Sequence, residues 1–252
     1  LRLDCRRFNI FIGEPNTGKS NILEALGLFS FGYYYQYHND LRTFVRHERT
    51  TNLFYDENLA GQLSGTADEV VLTIGFATGQ FTGNWVGPGG QLAVIGGGYD
   101  RLSASVHGGT PYVRDLSPFK FYRFVVQKEF PSAESEFLLP PFGANLMAVL
   151  LTHKDLQGIA NRPFSDLGLR LGLRPQESKI EVIKTIEPVI ISYPYSLVSD
   201  TLQRLVFHLM AILSNKESIL VFEEPEAHSF PADVNYLAET IALDDRGNQY
   251  FI

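Results

Sequence analysis

Phe8-Asn9-Ile10-Phe11-Ile12-Gly13-Glu14-Pro15-Asn16-Thr17-Gly18-Lys19-Ser20-Asn21-Ile22-Leu23-Glu24-Ala25-Leu26 is the stretch on which the reading turns. An apolar, strand-like run from Arg7 to Ile12 stops at Gly13. From Ile22 onward, apolar residues recur at Leu23, Ala25, Leu26 and Phe29, which is helical spacing, with Gly32 as the expected stop. Between strand and helix, Gly13 to Ser20 fits G-x-x-x-x-G-K-[ST] at every fixed position. Gly13 and Gly18 permit backbone conformations that a side chain would block. Loop N–H groups can then face phosphate oxygens at the positive end of the following helix. Lys19 brings a point charge to the β- and γ-phosphates, and the Ser20 hydroxyl is placed to ligate Mg²⁺. Asn16, Thr17 and Asn21 complete the expected ATP-binding set. A chance match somewhere in 252 residues has a probability on the order of 1%.

Roughly 200 residues further on, the apolar run Ser218-Ile219-Leu220-Val221-Phe222 leads straight into Glu223-Glu224-Pro225-Glu226-Ala227-His228. A buried parallel strand therefore delivers two adjacent carboxylates at its C-terminal edge, where ligands bind in open α/β sheets. Hydrolysis needs a metal ligand and a water-activating base as separate groups. Glu223 is the expected metal ligand, and Glu224 the expected base for the water attacking the γ-phosphate. Pro225 stops the strand and fixes the path of the loop.

The rest of the chain bounds the answer. With 44% hydrophobic and 19% charged residues, the composition is that of a globular protein. No run approaches a membrane span and no signal-peptide pattern opens the chain. The single Cys5 excludes an internal disulfide and agrees with a cytoplasmic setting. A net charge of −7 argues against a surface that is basic all over, though not against a local basic groove. Arg42, Arg46 and Arg49 recur every three to four residues, either as a solvated helix face or as contacts to nucleotide, partner or nucleic acid.

The expected architecture is α/β, a P-loop NTPase with a mixed or parallel core sheet, an antiparallel β-lobe and a helical subdomain. Residues 1–69 hold the phosphate loop and the helices after it, and 70–135 the Gly-rich β-lobe. Residues 136–178 form a helical insert, and 179–252 hold a helix from Asp200, the acidic strand and the start of a last strand. Gly96 to Gly98 reads as a turn, Phe119 to Val126 as a strand, Asn145 to Leu156 as a helix, and Ser199 as the N-cap of the Asp200 helix. The last strand runs on to Ile252, so the chain is expected to be a fragment.

Gly18 to Leu26 and Leu220 to His228 together resemble ABC-type ATPases, in particular the soluble, non-transporter branch of RecF, SMC heads and the overcoming-lysogenization-defect (OLD) family. Leu138 to Leu146 is similar to an element of the OLD-like group. The resemblance implies an ATP- and Mg²⁺-dependent ATPase that closes as a homodimer around nucleotide and drives an effector. A linked nuclease, DNA metabolism and anti-phage defence are the implied settings, with nucleic acid a possible ligand that no residue here shows. It puts Ser196 to Thr201 in the place of the ABC signature, with Ser199 capping the γ-phosphate of the other copy. It makes Gln127 the first choice and Gln36 the second for the Mg²⁺-sensing glutamine, and it puts His228 in a dimer-contact loop. The sequence departs from the family at Asp200, in place of a glycine-rich signature, and at Glu223, where the family more often has Asp. The family's switch histidine would lie beyond Ile252. Other readings of the same residues are a non-catalytic ATP-gated scaffold, a transporter's nucleotide-binding subunit, and a P-loop kinase.

Overall fold

The phosphate-loop candidate leaves a two-residue strand, β1 (Phe8–Asn9), and enters α1 (Lys19–Tyr34). Three 3-10 turns carry the chain to a meander of β2 (Leu63–Ala67), β3 (Val70–Ala77), β4 (Gln80–Gly87), β5 (Gly90–Gly97) and β6 (Leu102–Ser105). β7 (Phe119–Tyr122), α2 (Leu146–Thr152) and α3 (Lys154–Ser165) follow. The chain then runs through β8 (Leu169–Arg174), β9 (Lys179–Ile186), β10 (Val189–Pro194), α4 (Asp200–Leu213), β11 (Ile219–Phe222), α5 (Pro231–Ala242) and β12 (Gln249–Phe251). This computed structural model describes residues 1–14, 17–105 and 115–252.

The result is a mixed α/β architecture with one parallel and two antiparallel sheets. The core sheet has the order β1-β12-β11-β7, with every described pairing parallel. Phe8 and Leu220 both lie opposite Tyr250, and Phe222 lies opposite Tyr122. Alternation along these strands divides the core. Phe119, Phe121, Val221 and Phe251 face α1 and the β-lobe. Tyr122, Leu220, Phe222 and Tyr250 face α2, α3, α4 and α5. Both faces are covered, which is why these strands read as continuous apolar runs.

α1 is apolar nearly all round because it lies between two sheets. Phe29 stacks on Phe119 of the core sheet at 5.2 Å, while Phe31 meets Trp85 of the β-lobe at 6.4 Å. This double burial carries α1 through Gly32, the expected stop, to Tyr34. The β-lobe sheet, ordered β2 to β6, starts at Leu63, earlier than the boundary at residue 70. Gly96 and Gly97 belong to β5 and are not a turn. Residues 106–114 of the expected β-lobe lie outside the described residues. β7 leaves the β-lobe to join the core sheet and ends at Tyr122, four residues short of Val126. The helix expected over Asn145–Leu156 breaks at extended His153, giving α2 and α3.

Candidate functional site

Because β1, β12, β11 and β7 are parallel, the loops that leave their carboxyl ends share one edge of the sheet. The segment before α1 is one of these loops, and Glu223 and Arg123 begin two others. Gly18 has φ 85°, a left-handed conformation suited to glycine, directly ahead of Lys19 in the first turn of α1. Lys19 Nζ donates to the Gly13 carbonyl at 2.8 Å and the Glu14 carbonyl at 2.5 Å, and Thr17 Oγ1 donates to the Glu14 carbonyl at 2.8 Å. The lysine therefore closes the loop over its own backbone. Ser20 and Asn21 follow in the same helical turn, and Asn16 lies outside the described residues.

The Glu223 amide extends the β11–β7 ladder by donating to the Tyr122 carbonyl at 3.2 Å. Its carboxylate, 11% exposed, is held from two sides. Arg123 Nε donates to Oε2, and Arg46 Nη2 stands 3.2 Å from Oε1 as an ion pair without hydrogen-bond geometry. Arg46 Nε also donates to Glu24 Oε1 at 2.8 Å. Glu24 lies on α1 five residues beyond Lys19, or about 7.5 Å along the axis. A ladder Glu24–Arg46–Glu223–Arg123 thus ties the phosphate-loop helix to the acidic strand end, with two positive and two negative charges. Glu224 is exposed and adopts φ 47°. Pro225 is buried behind it, and the Ala227 amide donates to the Glu224 carbonyl at 3.1 Å, so the acids leave the strand in a tight turn.

Three expectations change. Ser199 stands at the N-cap position of α4, but its side chain makes no capping hydrogen bond; it is exposed. Gln127 lies five residues beyond the last residue of β7 and donates through Nε2 to the Phe142 carbonyl. Gln36 lies two residues past the far end of α1, whose last residue Tyr34 is about 22 Å along the helix from Lys19. Arg42, Arg46 and Arg49 do not share a helix face, because the segment folds as separate 3-10 turns. Arg42 pairs with Asp40, whereas Arg46 joins the acidic ladder.

Asp200, the charge that would repel a phosphate beside Ser199, is engaged by Arg204 Nε at 2.8 Å. The Arg204 guanidinium lies 4.7 Å from the Phe124 ring centroid, next in sequence to Arg123. Thr201 Oγ1 donates to the carbonyl of His228, whose φ is 58°, at 3.0 Å. The start of α4 is thus fastened to the loop after the acids. Beneath the acidic strand end, the His208 ring meets Phe222 edge-on at 5.6 Å, and burial pushes its pKa down to about 3. It is a neutral packing residue.

Arg123 and Glu24 were not expected from the sequence. The signal for Arg123 was present, since Tyr122-Arg123 and Phe222-Glu223 are aromatic-then-charged exits from neighbouring strands in register. Glu223 offers one donor for Mg²⁺: Oε1 is buried without a hydrogen bond, although Arg46 Nη2 stands 3.2 Å from it, and Mg²⁺ usually takes one or two protein oxygens alongside substrate phosphates. Among the described residues no group of three or more His, Cys, Asp or Glu forms a self-sufficient metal cage. A cleft of about 570 Å³ lies at the opposite edge, lined by Phe119, Ser218, Ile219 and Gln249 at the strands' amino ends. Among the described residues, no helix is long and apolar enough to cross a membrane.

No protein-family model matches this chain, and no curated protein matches it. Among solved structures it is similar to the SMC head in "Crystal structure of the SmcHead bound to the C-winged helix domain of ScpA". That likeness has 15% identity and a TM-score of 0.48, covering 98% of this chain and 82% of the other. It is too distant to carry weight, and it lends nothing to the OLD-like branch. The functional reading therefore rests on the residues at the carboxyl edge of the parallel sheet.

Proposed function

We propose that this chain is an ABC-type ATPase head that binds Mg²⁺-ATP at the carboxyl edge of its parallel sheet. One observation carries the reading: the Lys19 loop and the Glu223-Glu224 turn leave the same edge of one sheet and are cross-linked through Glu24 and Arg46. Lys19, Gly13, Asn16, Thr17, Gly18, Ser20 and Asn21 bind the triphosphate. Ser20 and Glu223 hold the metal ion, which when bound neutralises charge on the phosphates. Glu224 orients a water and accepts its proton as the oxygen bonds to the γ-phosphorus and the β–γ bridge breaks, leaving ADP and phosphate. The exposed position of Ser199 and the pairing of Asp200 with Arg204 support a signature that meets the γ-phosphate in a second copy. Closure of that homodimer drives an effector, with a nuclease acting in DNA metabolism or defence as the proposed class.

Phosphate release from ATP tests the reading, with wild type, Lys19→Ala and Glu224→Gln measured side by side. Lys19→Ala should lose binding and turnover together. Glu224→Gln should lose turnover by about 10²-fold or more, retain binding, and accumulate as an ATP-bound dimer. A Glu224→Gln protein that hydrolyses ATP at the wild-type rate contradicts the mechanism. Wild-type binding without any turnover assigns the chain to the ATP-gated scaffold instead.

A further inference from the structure

We infer that Arg123 is the positioning residue of the metal site, fixing Glu223 through Oε2 so that Oε1 is presented to the ion. The inference rests on the ATPase reading above and adds a residue to it. Glutamate at this position has one more rotatable bond than aspartate, so a free carboxylate would lose more side-chain freedom on binding metal. The structure removes that freedom in advance.

Arg123 suits this task better than Arg46. It is 18% exposed against 54%, and its described side-chain bond goes to Glu223 alone, whereas Arg46 also serves Glu24. Its own position is set from two directions. The backbone N–H donates to the Pro141 carbonyl at 3.0 Å, and the guanidinium lies 5.3 Å from the Phe121 ring centroid. Because Nε takes Oε2, the oxygen left without a hydrogen bond is Oε1, which faces the more exposed Arg46 Nη2 at 3.2 Å, the cation that the metal ion would replace there. Groups that orient a metal ligand from behind typically change metal affinity 10–100-fold when removed.

A double-mutant cycle tests this, using ATP binding in EDTA and Mn²⁺ binding in the presence of saturating ATP, read by electron paramagnetic resonance of free Mn²⁺. Arg123→Gln should leave ATP affinity in EDTA within about twofold and weaken Mn²⁺ binding about tenfold or more. Added to Glu223→Gln, it should cause no further loss, because its effect passes through that carboxylate. Arg123→Lys keeps the charge but not the guanidinium geometry, and should fall between wild type and Arg123→Gln. It supplies the comparison if the glutamine variant fails to fold. Unchanged Mn²⁺ affinity in Arg123→Gln or Arg123→Lys would overturn the inference while leaving the ATPase reading intact. An equal loss in both backgrounds, or a tenfold loss of ATP affinity in EDTA, would also overturn it by making Arg123 a phosphate ligand. A wild-type protein that binds no ATP in either buffer would end both.

Discussion

Gly27 sets the height at which the phosphate-loop helix lies on the segment that supplies Arg46. A Cβ built there stands 2.7 Å from the Phe44 backbone carbonyl and 3.5 Å from the Phe121 ring. To reach the 3.4 Å at which ordinary contact begins, α1 and Phe44 must separate by about 0.7 Å. Two terms oppose each other in Gly27→Ala. Replacing a mid-helix glycine gains about 1 kcal/mol of helix propensity, whereas overpacking a well-filled interior costs about 1–3 kcal/mol. A net loss of up to about 2 kcal/mol follows, or up to about 8 °C in a domain of this size. The same displacement carries Arg46, two residues beyond Phe44, away from Glu24 and Glu223, so ATP turnover should fall more than stability. Gly158 provides the matched control. It lies inside α3 with nothing within 4 Å of its added Cβ, so Gly158→Ala should raise the melting temperature by about 1–4 °C. Calorimetric melting of both variants, with phosphate release from each, is the assay. If Gly27→Ala melts as high as Gly158→Ala with unchanged turnover, the close approach to Phe44 does not position Arg46.

Lys120 is buried on β7, with its ammonium donating to Asn215 and Ser218 and lying 3.7 Å from the Phe137 ring centroid. Burial pushes its pKa down to about 7, so between that value and its ordinary 10.5 the unfolded chain holds a proton that the folded one lacks. Stability should therefore rise with pH through this window, by at most about 1.4 kcal/mol per pH unit. Urea titrations of wild type and Lys120→Met at pH 7, 8 and 9 should show a slope present only in wild type; parallel slopes would refute the assignment. Arg204→Gln removes the partner of Asp200 at the start of α4. Because that pair is partly exposed, stability should change by less than about 1 kcal/mol, yet ATP-dependent dimer measured by light scattering should fall. Loss of stability without any effect on the dimer would leave Arg204 a purely structural residue.

Local rules account for the segments whose partners lie nearby in sequence or are simply apolar. The glycine pattern ahead of Lys19, the apolar run into Glu223 and the amphipathic α4 each follow from spacing alone. Failures cluster where a distant element decides. α1 outruns Gly32 because Trp85, more than 50 residues away, covers that part of the helix. β7 stops at Tyr122 because β11, its partner, also stops there in register, and the following residues turn to Pro141 and Phe142. Arg46 looks like one of three equivalent arginines until the fold brings Glu24 and Glu223 to either side of it. The glutamine expected beside the acids could not be chosen by position, because the residue that follows β7 in register with Glu223 is an arginine.

That exchange bears on how the edge stays usable. β12 lies between β1 and β11, so the phosphate loop and the acids leave the sheet two strand spacings apart, about 9.5 Å. Adjacent strands would put the Lys19 ammonium against the Glu223 carboxylate, and the two would neutralise each other. Here each charge is satisfied on its own side. Lys19 bonds to the Gly13 and Glu14 carbonyls, while Glu223 bonds to Arg123 and pairs with Arg46. Under the ATPase reading proposed above, the lysine would then serve the phosphates and the carboxylate the metal ion without the two first neutralising each other. Moving the carboxylate would break this division. Shortening Glu223 to Asp withdraws it from Arg123 by one methylene, so Glu223→Asp should weaken Mn²⁺ binding despite carrying the residue more usual in ABC-type sites. Tighter Mn²⁺ binding by Glu223→Asp would mean that the arginines restrain the acid and do not present it.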